Sequence, residues 1–145
     1  LVVVGAYAGS GKRTGYYGAL LMAARNDDEG TLESVCKLGT GFSDEQLAEL
    51  HQRLQPLVLS KRTPTVVSGL EPDFHIQPEL VLEVLGAEVT LSPVHRCSFG
   101  SVRPGAGLAI RFPRMVRVRD DKGWEEATTS AEVEDMYRRQ LKQAG

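Results

Sequence analysis

The sequence has few cysteines and few aromatic residues, and it has no long hydrophobic run. Its 145 residues include two cysteines, Cys36 and Cys97, too few and too far apart for a disulfide framework or a paired-cysteine metal site. No apolar run approaches the roughly 18 residues of a membrane-spanning helix. We therefore expect reduced, buried thiols, no contact with a membrane and no secretory signal.

Histidines are also scarce, and their spacing does not suggest a metal centre. His95 and Cys97 are the one close pair of candidate ligands, and the second pair that a zinc site needs is missing. Serines and histidines show no spacing typical of a catalytic triad. We expect no metal to be held by this chain.

The composition indicates one globular domain. Hydrophobic residues make up 41% and charged residues 25% of the chain, and both values are close to globular averages. A single domain over 1–145 is therefore expected. Because Leu1 opens directly into an apolar run, we expect a fragment cut at a domain boundary of a larger protein.

The net charge of −2 conceals an uneven distribution. Residues 1–26 carry three bases and no acids, and residues 89–122 carry seven bases and two acids. Between them, residues 27–88 carry four bases and twelve acids. Two basic stretches could form one positive face suited to a polyanion such as DNA.

Hydrophobic periodicity predicts five strands and two helices. The strands are expected over 1–7, 16–24, 32–38, 80–91 and 108–119. Capping boxes at Ser43 with Gln46 and at Thr129 with Glu132 mark the two helix starts. The first helix is expected to end at Pro56, and residues 60–78 are expected to form a long connection.

Each predicted helix has an apolar stripe. The stripe of the first helix is Leu47, Leu50 and Leu54, and that of the second is Val133, Met136, Tyr137 and Leu141. Three strands, a helix, two strands and a trailing helix is the order of a mainly β oligonucleotide-binding (OB) fold. This fold is a five-stranded Greek-key barrel with a helix between strands 3 and 4.

The segment from Arg111 to Lys122 holds five cations in twelve residues. On a strand, Arg111, Arg117 and Arg119 share one face, while Ile110, Phe112, Val116 and Val118 share the other. Pro113 interrupts this pattern, so a bulge or bend is expected there. A single-signed row favours an anion-binding face over a solvated strand, and the same periodicity predicts that Phe112 lies in the core.

The glycine-rich stretch from Gly5 to Arg13 is not a phosphate-binding loop of the Walker A type. That motif needs a glycine where Ala6 stands and a Ser or Thr where Arg13 stands. A phosphate-loop ATPase is therefore excluded. Two readings remain open, a flexible turn and a loop whose Lys12 and Arg13 contact nucleic-acid phosphates.

Several blocks resemble one family in order along the chain. LVVVGAYAGSGKRTG, CKLGTGFSDEQL, TLSPVH and RFPRMVRVRDDK followed by EEATTSAEV resemble the C-terminal OB-fold domain of ATP-dependent DNA ligases of the eukaryotic ligase I and archaeal type. The family's adenylated lysine lies in a K-x-D-G motif of the preceding domain, and this chain has no such motif. The resemblance thus implies a domain that cannot seal DNA alone.

The resemblance implies two roles and assigns residues to each. In lysine adenylation, Arg119 and Lys122 would act as catalytic cations on the ATP phosphates. In nick sealing during replication, repair and recombination, the domain would clamp DNA. Lys12, Arg13 and Arg114 would contact its backbone, and Arg111 with Phe112 would enter the minor groove.

The implied partners are nicked duplex DNA and the adenylation domain of the same chain, with a sliding clamp as a further candidate. ATP and Mg²⁺ would serve the parent enzyme, with none held by the fragment alone. A nuclear location in a eukaryotic parent is favoured, with a cytoplasmic location if the parent is archaeal. The alternative is a non-catalytic OB-fold module that binds single strands by stacking.

Overall fold

The computed structural model describes residues 1–144 and is mainly β, which confirms the predicted fold class. The two helices are α1 (Asp44–Leu54) and α2 (Ser130–Ala144). The ten strands are β1 (Val2–Ala8), β2 (Tyr17–Asn26), β3 (Thr31–Leu38), β4 (Val58–Leu59), β5 (Val66–Val67), β6 (Phe74–Ile76), β7 (Leu82–Leu85), β8 (Glu88–Ser92), β9 (Gly107–Arg111) and β10 (Arg114–Val118).

Five of the strands lie in a ring that combines two sheets, the six-stranded sheet β4-β6-β1-β2-β3-β5 and the pair β10-β7. β1, β2 and β3 pair as an antiparallel meander, and β7 pairs with β10. Val3 N donates to Leu80 O at 2.9 Å, which joins β1 to the segment that leads into β7. Met115 N donates to Thr40 O at 2.8 Å, which joins β10 to the residues just after β3. These contacts arrange the strands in the order β1-β2-β3-β10-β7-β1, which is consistent with the partly open barrel of an OB fold.

The apolar run at the start of the chain is buried on both faces of β1. Leu1 and Val3 belong to the main core, together with Leu38, Leu54 and Leu82. Val2 and Val4 belong to a second cluster, which residues of the 60–73 connection and Ala127 help to cover. Continuous rather than alternating hydrophobicity is the pattern of a strand buried on both faces.

Both predicted capping boxes are present. Ser43 Oγ accepts from Gln46 N at 3.1 Å, and Gln46 Oε1 accepts from Ser43 N at 2.9 Å. Thr129 Oγ1 and Glu132 make the equivalent exchange before α2. These bonds satisfy amides that the first turn of a helix leaves unpaired, so both helix starts could be predicted from sequence.

Several predicted boundaries differ from the structure. The predicted strand over 80–91 is two strands, β7 and β8, and that over 108–119 is divided into β9 and β10 at Phe112 and Pro113. The bend expected at Pro113 is confirmed. The connection 60–78 contains the short strands β5 and β6, which have too few residues to show a periodicity.

The stripe predicted for α2 is only half correct. Val133 is fully buried and Tyr137 packs against the core, whereas Met136 and Leu141 are exposed.

Cys36 and Cys97 are both buried and free, as predicted, and burial raises the pKa of each thiol to about 12.

Candidate functional site

The segment after β10, Arg119 to Lys122, presents a fixed guanidinium. Arg119 N donates to Val81 O at 2.9 Å, which attaches the segment to the residue preceding β7. Arg119 Nε and Nη2 bind the two oxygens of Asp121 at 2.9 and 2.8 Å, and Nη1 lies 3.4 Å from Glu83 Oε1. The side chain is about one-fifth exposed, so its position is set before any ligand arrives.

Two carboxylates, those of Asp121 and Glu83, hold Arg119 in place. Its hydrogen bonds keep the pKa of the Asp121 carboxyl well below its usual range. Asp121 therefore stays charged at neutral pH and partly neutralises the guanidinium. An incoming anion of higher charge would compete with Asp121 for the same donors.

A cleft of about 360 Å³ lies beside this segment, and we call it the cationic cleft. Its cations are Arg53, Arg119 and Lys122, and its acids are Glu79 and Asp120. Leu57, Leu80 and Val81 complete the lining. Within residues 1–144, no carboxylate oxygen lies within 4.0 Å of the Lys122 ammonium, so that charge is available to an anion.

Arg53 is the member of the cationic cleft that the sequence did not suggest. It lies in the last turn of α1, and its Nη2 binds Asp120 Oδ1 at 2.6 Å. Helical position 53 and strand-end position 120 are distant in sequence, and the helix pattern alone predicts a solvated face. Only the docking of α1 on the ring brings Arg53 beside Arg119 and Lys122.

A second cleft of about 330 Å³ is lined by Val81, Arg119 and Lys122 as well. Its remaining walls come mainly from β7, β8 and α2, including Val84, Val133 and Met136. This second cleft is of mixed polarity, because Glu83, Glu88 and Gln140 also line it. Arg119 and Lys122 therefore line both clefts.

The turn between β9 and β10 exposes an aromatic ring. Phe112 has φ +50° and is 69% exposed, and its ring lies 4.8 Å from the Arg111 guanidinium carbon. The prediction that Phe112 is a core residue is wrong, because the chain leaves the strand conformation at this position. Leu85 and Val116 are also exposed nearby, and the five residues Arg111, Phe112, Arg114, Leu85 and Val116 are called the Phe112 surface.

A β-bulge in β10 corrects the predicted alternation. Met115 pairs with Val84 and Arg117 pairs with Glu83, so Val116 is the extra residue. Met115 is buried, while Val116 and Arg117 are both exposed. The expected burial of Val116 is therefore wrong, because a bulge shifts the alternation of side chains by one residue.

The row of arginines also has acidic partners that strand periodicity did not reveal. Arg111 Nη1 lies 3.2 Å from Glu88 Oε1, and Arg117 Nε lies 3.1 Å from Glu83 Oε1. The argument that such a row needs an external anion is thus weakened, because neighbouring strands supply the counter-charges. Arg114 is exposed and, within the described part of the chain, has no carboxylate within ion-pair distance.

The two cations of the turn between β1 and β2, Lys12 and Arg13, differ in exposure and in hydrogen bonding. Lys12 is exposed, whereas Arg13 Nη1 donates to Gly18 O and to Gly39 O, both at 2.8 Å. Arg13 therefore fastens the turn to β2 and to the end of β3. Lys12 is the side chain of this turn that is free to reach a phosphate.

Residues 1–144 contain no group of three or more histidine, cysteine or acidic side chains able to hold a metal ion. No helix among them is long and apolar enough to cross a membrane.

The comparisons with known proteins agree on one family. A sequence model described as "ATP dependent DNA ligase C terminal region" matches residues 13–122. The DNA ligase of Staphylothermus marinus is 52% identical over 142 residues, which are 98% of this chain and 24% of that protein. The DNA ligase of Sulfophobococcus zilligii is 54% identical over 98% of this chain and 23% of its own length.

A solved structure shows the same likeness. The ligase domain from M. tuberculosis LigD has a TM-score of 0.63 and 28% identity, over 88% of this chain and 37% of that chain. The chain thus spans about a quarter of the length of the curated relatives it matches.

Proposed function

The chain belongs to the family of ATP-dependent DNA ligase C-terminal regions, and on that premise we propose that it serves two successive steps of a parent ligase. In the first step it closes on the adenylation domain while ATP modifies the catalytic lysine there. In the second step it turns another face to nicked duplex DNA during phosphodiester sealing.

The observation that carries the first role is the pair of cations between the two clefts. Arg119 is held in place by hydrogen bonds, and Lys122 lies beside it without a carboxylate partner in residues 1–144. When the lysine amine attacks the α-phosphorus, negative charge develops on the departing pyrophosphate. Cations that are already in position stabilise this charge without further reorganisation.

The second role uses the Phe112 surface and the exposed Lys12. An exposed aromatic ring beside arginines has the character of a minor-groove wedge, which can distort a duplex near a strand break. Arg114 and Lys12 would add contacts to the phosphate backbone, which are indifferent to sequence. Arg13 would support Lys12 by holding the turn in place.

Magnesium and the further partners extend this proposal. ATP would supply the adenylate, and Mg²⁺ would travel with its phosphates, because the described residues offer cations to the nucleotide and no acidic cluster to a metal. A sliding-clamp partner remains a prediction. The location of the parent enzyme, nuclear or cytoplasmic, also remains a prediction.

The two roles can be separated in the full-length parent enzyme. Arg119→Ala or Lys122→Ala should slow self-adenylation on the order of a hundredfold, about 3 kcal/mol, and leave sealing of a pre-adenylated nick largely intact. Arg111→Ala combined with Phe112→Ala should have the reverse effect. The two steps are measured by labelled AMP transfer to the enzyme and by sealing of a synthetic adenylated nick.

Equal losses in both steps from both sets of changes would contradict the assignment of separate faces. Melting temperatures of all variants provide the control for folding. Arg139→Ala, which removes an exposed ion pair with Asp135 on α2, should leave both rates unchanged.

A binding module without a role in catalysis is the second candidate, and one cluster favours it. Tyr17 contacts His51 and Phe74, with ring centroids 5.1 and 5.6 Å apart, and Tyr16 lies beside them with 40% exposure. Tyr17 is buried, whereas Phe74 is 36% exposed, so bases could stack on Tyr16 and Phe74, which would favour single strands. Tighter binding of single-stranded than of nicked duplex DNA would support this candidate over the ligase role.

A further inference from the structure

We propose that Arg53 is a third phosphate-binding cation of the cationic cleft, and that it binds the pyrophosphate that leaves or re-enters during lysine adenylation. The inference rests on the proposed function of Arg119 and Lys122. It adds a residue from α1, a helix outside the segment on which the sequence placed the nucleotide contacts.

The position of Arg53 supports this role. Its side chain is about one-third exposed and reaches from the last turn of α1 into the cleft that Arg119 and Lys122 line. Residues from two separate elements thus place three cations around a single volume of about 360 Å³. An inorganic pyrophosphate carries several negative charges at neutral pH, so a single cation would not neutralise it.

The contact between Arg53 and Asp120 has the geometry that a guanidinium would also use to bind a phosphate group. Arg53 Nη2 and Nη1 face the two oxygens of Asp120 at 2.6 and 3.4 Å, which is the fork arrangement that a guanidinium also uses for phosphate. Asp120 is 69% exposed, so its carboxylate can turn into solvent. Pyrophosphate would therefore displace Asp120 from these two donors.

The cations of the cleft are also surrounded by acids. Glu79 and Asp120 line the cleft, and Glu49, Glu83 and Asp121 lie against the guanidiniums of Arg53 and Arg119. Pyrophosphate would have to displace some of these carboxylates, and Arg53 supplies one of the three cations that would then face it.

The competing explanation is structural. Arg53 could act only in a structural ion pair with Asp120 that fixes α1 to the segment carrying Arg119. An ion pair needs both partners, so removing either Arg53 or Asp120 would then displace Arg119 and weaken pyrophosphate binding in both variants. A phosphate-binding Arg53 predicts opposite effects, because loss of Asp120 frees the guanidinium and removes a negative charge.

The reverse reaction of the full-length parent enzyme measures pyrophosphate binding directly. A pyrophosphate oxygen attacks the phosphorus of the lysyl adenylate, the nitrogen–phosphorus bond breaks, ATP forms, and the lysine amine recovers its proton. The experiment follows release of ATP from pre-adenylated enzyme with inorganic pyrophosphate as the varied ligand. The half-saturating pyrophosphate concentration is the quantity compared.

Arg53→Ala should raise that concentration about tenfold, and Arg53→Lys should raise it less, because the charge is retained while the fork is lost. Asp120→Asn should lower it or leave it unchanged. Arg139→Ala serves as the surface control. If Arg53→Ala fails to fold, Arg53→Lys and Asp120→Asn still carry the comparison.

Two results would overturn the inference. One is an unchanged half-saturating concentration in Arg53→Ala, and the other is a rise of similar size in Arg53→Ala and Asp120→Asn. Arg119→Ala separates this failure from failure of the proposed function. If Arg119→Ala raises the concentration and Arg53→Ala does not, only the role of Arg53 is lost; if neither does, the proposed role of the whole cleft is lost.

Discussion

Ser130 Oγ donates a 2.7 Å hydrogen bond to Glu33 Oε1, which joins the first turn of α2 to β3 in the interior of the domain. The same carboxylate accepts from Ser98 N at 3.0 Å and from Asn26 Nδ2 at 3.1 Å. Glu33 therefore connects four parts of the chain through one buried acid. Such a group is favourable only while its hydrogen bonds are made.

Replacing Glu33 by alanine should lower the free energy of unfolding by about 3 kcal/mol, because one buried and two half-buried donors lose their acceptor at once. Ser130→Ala removes one of these bonds and should cost about 1 kcal/mol. Urea unfolding checks both values, with the exposed Glu29→Ala as the control. Equal losses from Glu33→Ala and Glu29→Ala would contradict the connecting role of Glu33.

Gly41→Ala should destabilise the domain more than Gly30→Ala. Both glycines have positive φ, but a Cβ on Gly41 would lie 2.5 Å from Met115 O, whereas a Cβ on Gly30 would meet nothing within 4 Å. We expect about 1 kcal/mol at Gly30 from backbone strain and at least about 2 kcal/mol at Gly41, where overpacking adds to it. Thermal unfolding of the two variants under one buffer makes the comparison.

Phe112→Ala should leave the melting temperature nearly unchanged, because the ring is 69% exposed. Met115→Ala, three residues later and buried in the core, should cost about 2 to 5 kcal/mol. Calorimetry of both variants is decisive. A large loss of stability in Phe112→Ala would restore the interpretation of this ring as part of the core.

The stability of the domain should depend on pH through His95. Burial lowers the pKa of this histidine to about 4, whereas an unfolded histidine has a pKa of about 6.5. Below pH 6.5 the unfolded chain binds a proton that the folded chain does not, so the free energy of unfolding falls. The loss should approach about 1.4 kcal/mol per pH unit down to pH 4.

Replacement of His95 by glutamine isolates this contribution from other titrating groups. The difference in unfolding free energy between the two proteins should change between pH 7 and pH 4.5 in favour of His95→Gln. Parallel pH profiles for the two proteins would mean that the pKa of His95 is the same in the folded and the unfolded chain, which would contradict the prediction.

Binding of the domain to nicked duplex should weaken steeply with salt, because the expected contacts are to phosphates. Removing one phosphate contact by Lys12→Ala should reduce the slope of log affinity against log salt by about 0.9. The exposed Lys61→Ala is the control and should leave the slope unchanged. Fluorescence anisotropy over a salt series provides the slopes, and an unchanged slope in Lys12→Ala would exclude this contact.

The elements that could be predicted from the sequence are those set by local rules. The two capping boxes and the stripe of Leu50 and Leu54 depend on residues within one or two turns, so both helix starts were predicted correctly. Pro113 likewise marks a break that its missing amide imposes. The mainly β class followed from these elements taken in order.

What could not be predicted depends on partners that are distant along the chain. Glu83 and Glu88 become the counter-charges of Arg117 and Arg111 only after the strands pair. The bulge at Val116 is a property of the pairing of β10 with β7, and alternation within one strand cannot reveal it. Arg53 joins the cationic cleft for the same reason, since only helix docking places it there.

The ring of strands has one weak joint, and it lies where β10 meets the residues after β3. Among the described residues, the bond from Met115 N to Thr40 O is the backbone hydrogen bond that joins these two segments, whereas β1 and β2 pair along their whole length. Local opening of a folded protein begins where the fewest bonds must break. The barrel would therefore open first between Thr40 and Met115, with β10 moving together with β7. The amide hydrogen of Met115 would then exchange with solvent before the amide hydrogens of β1, β2 and β3.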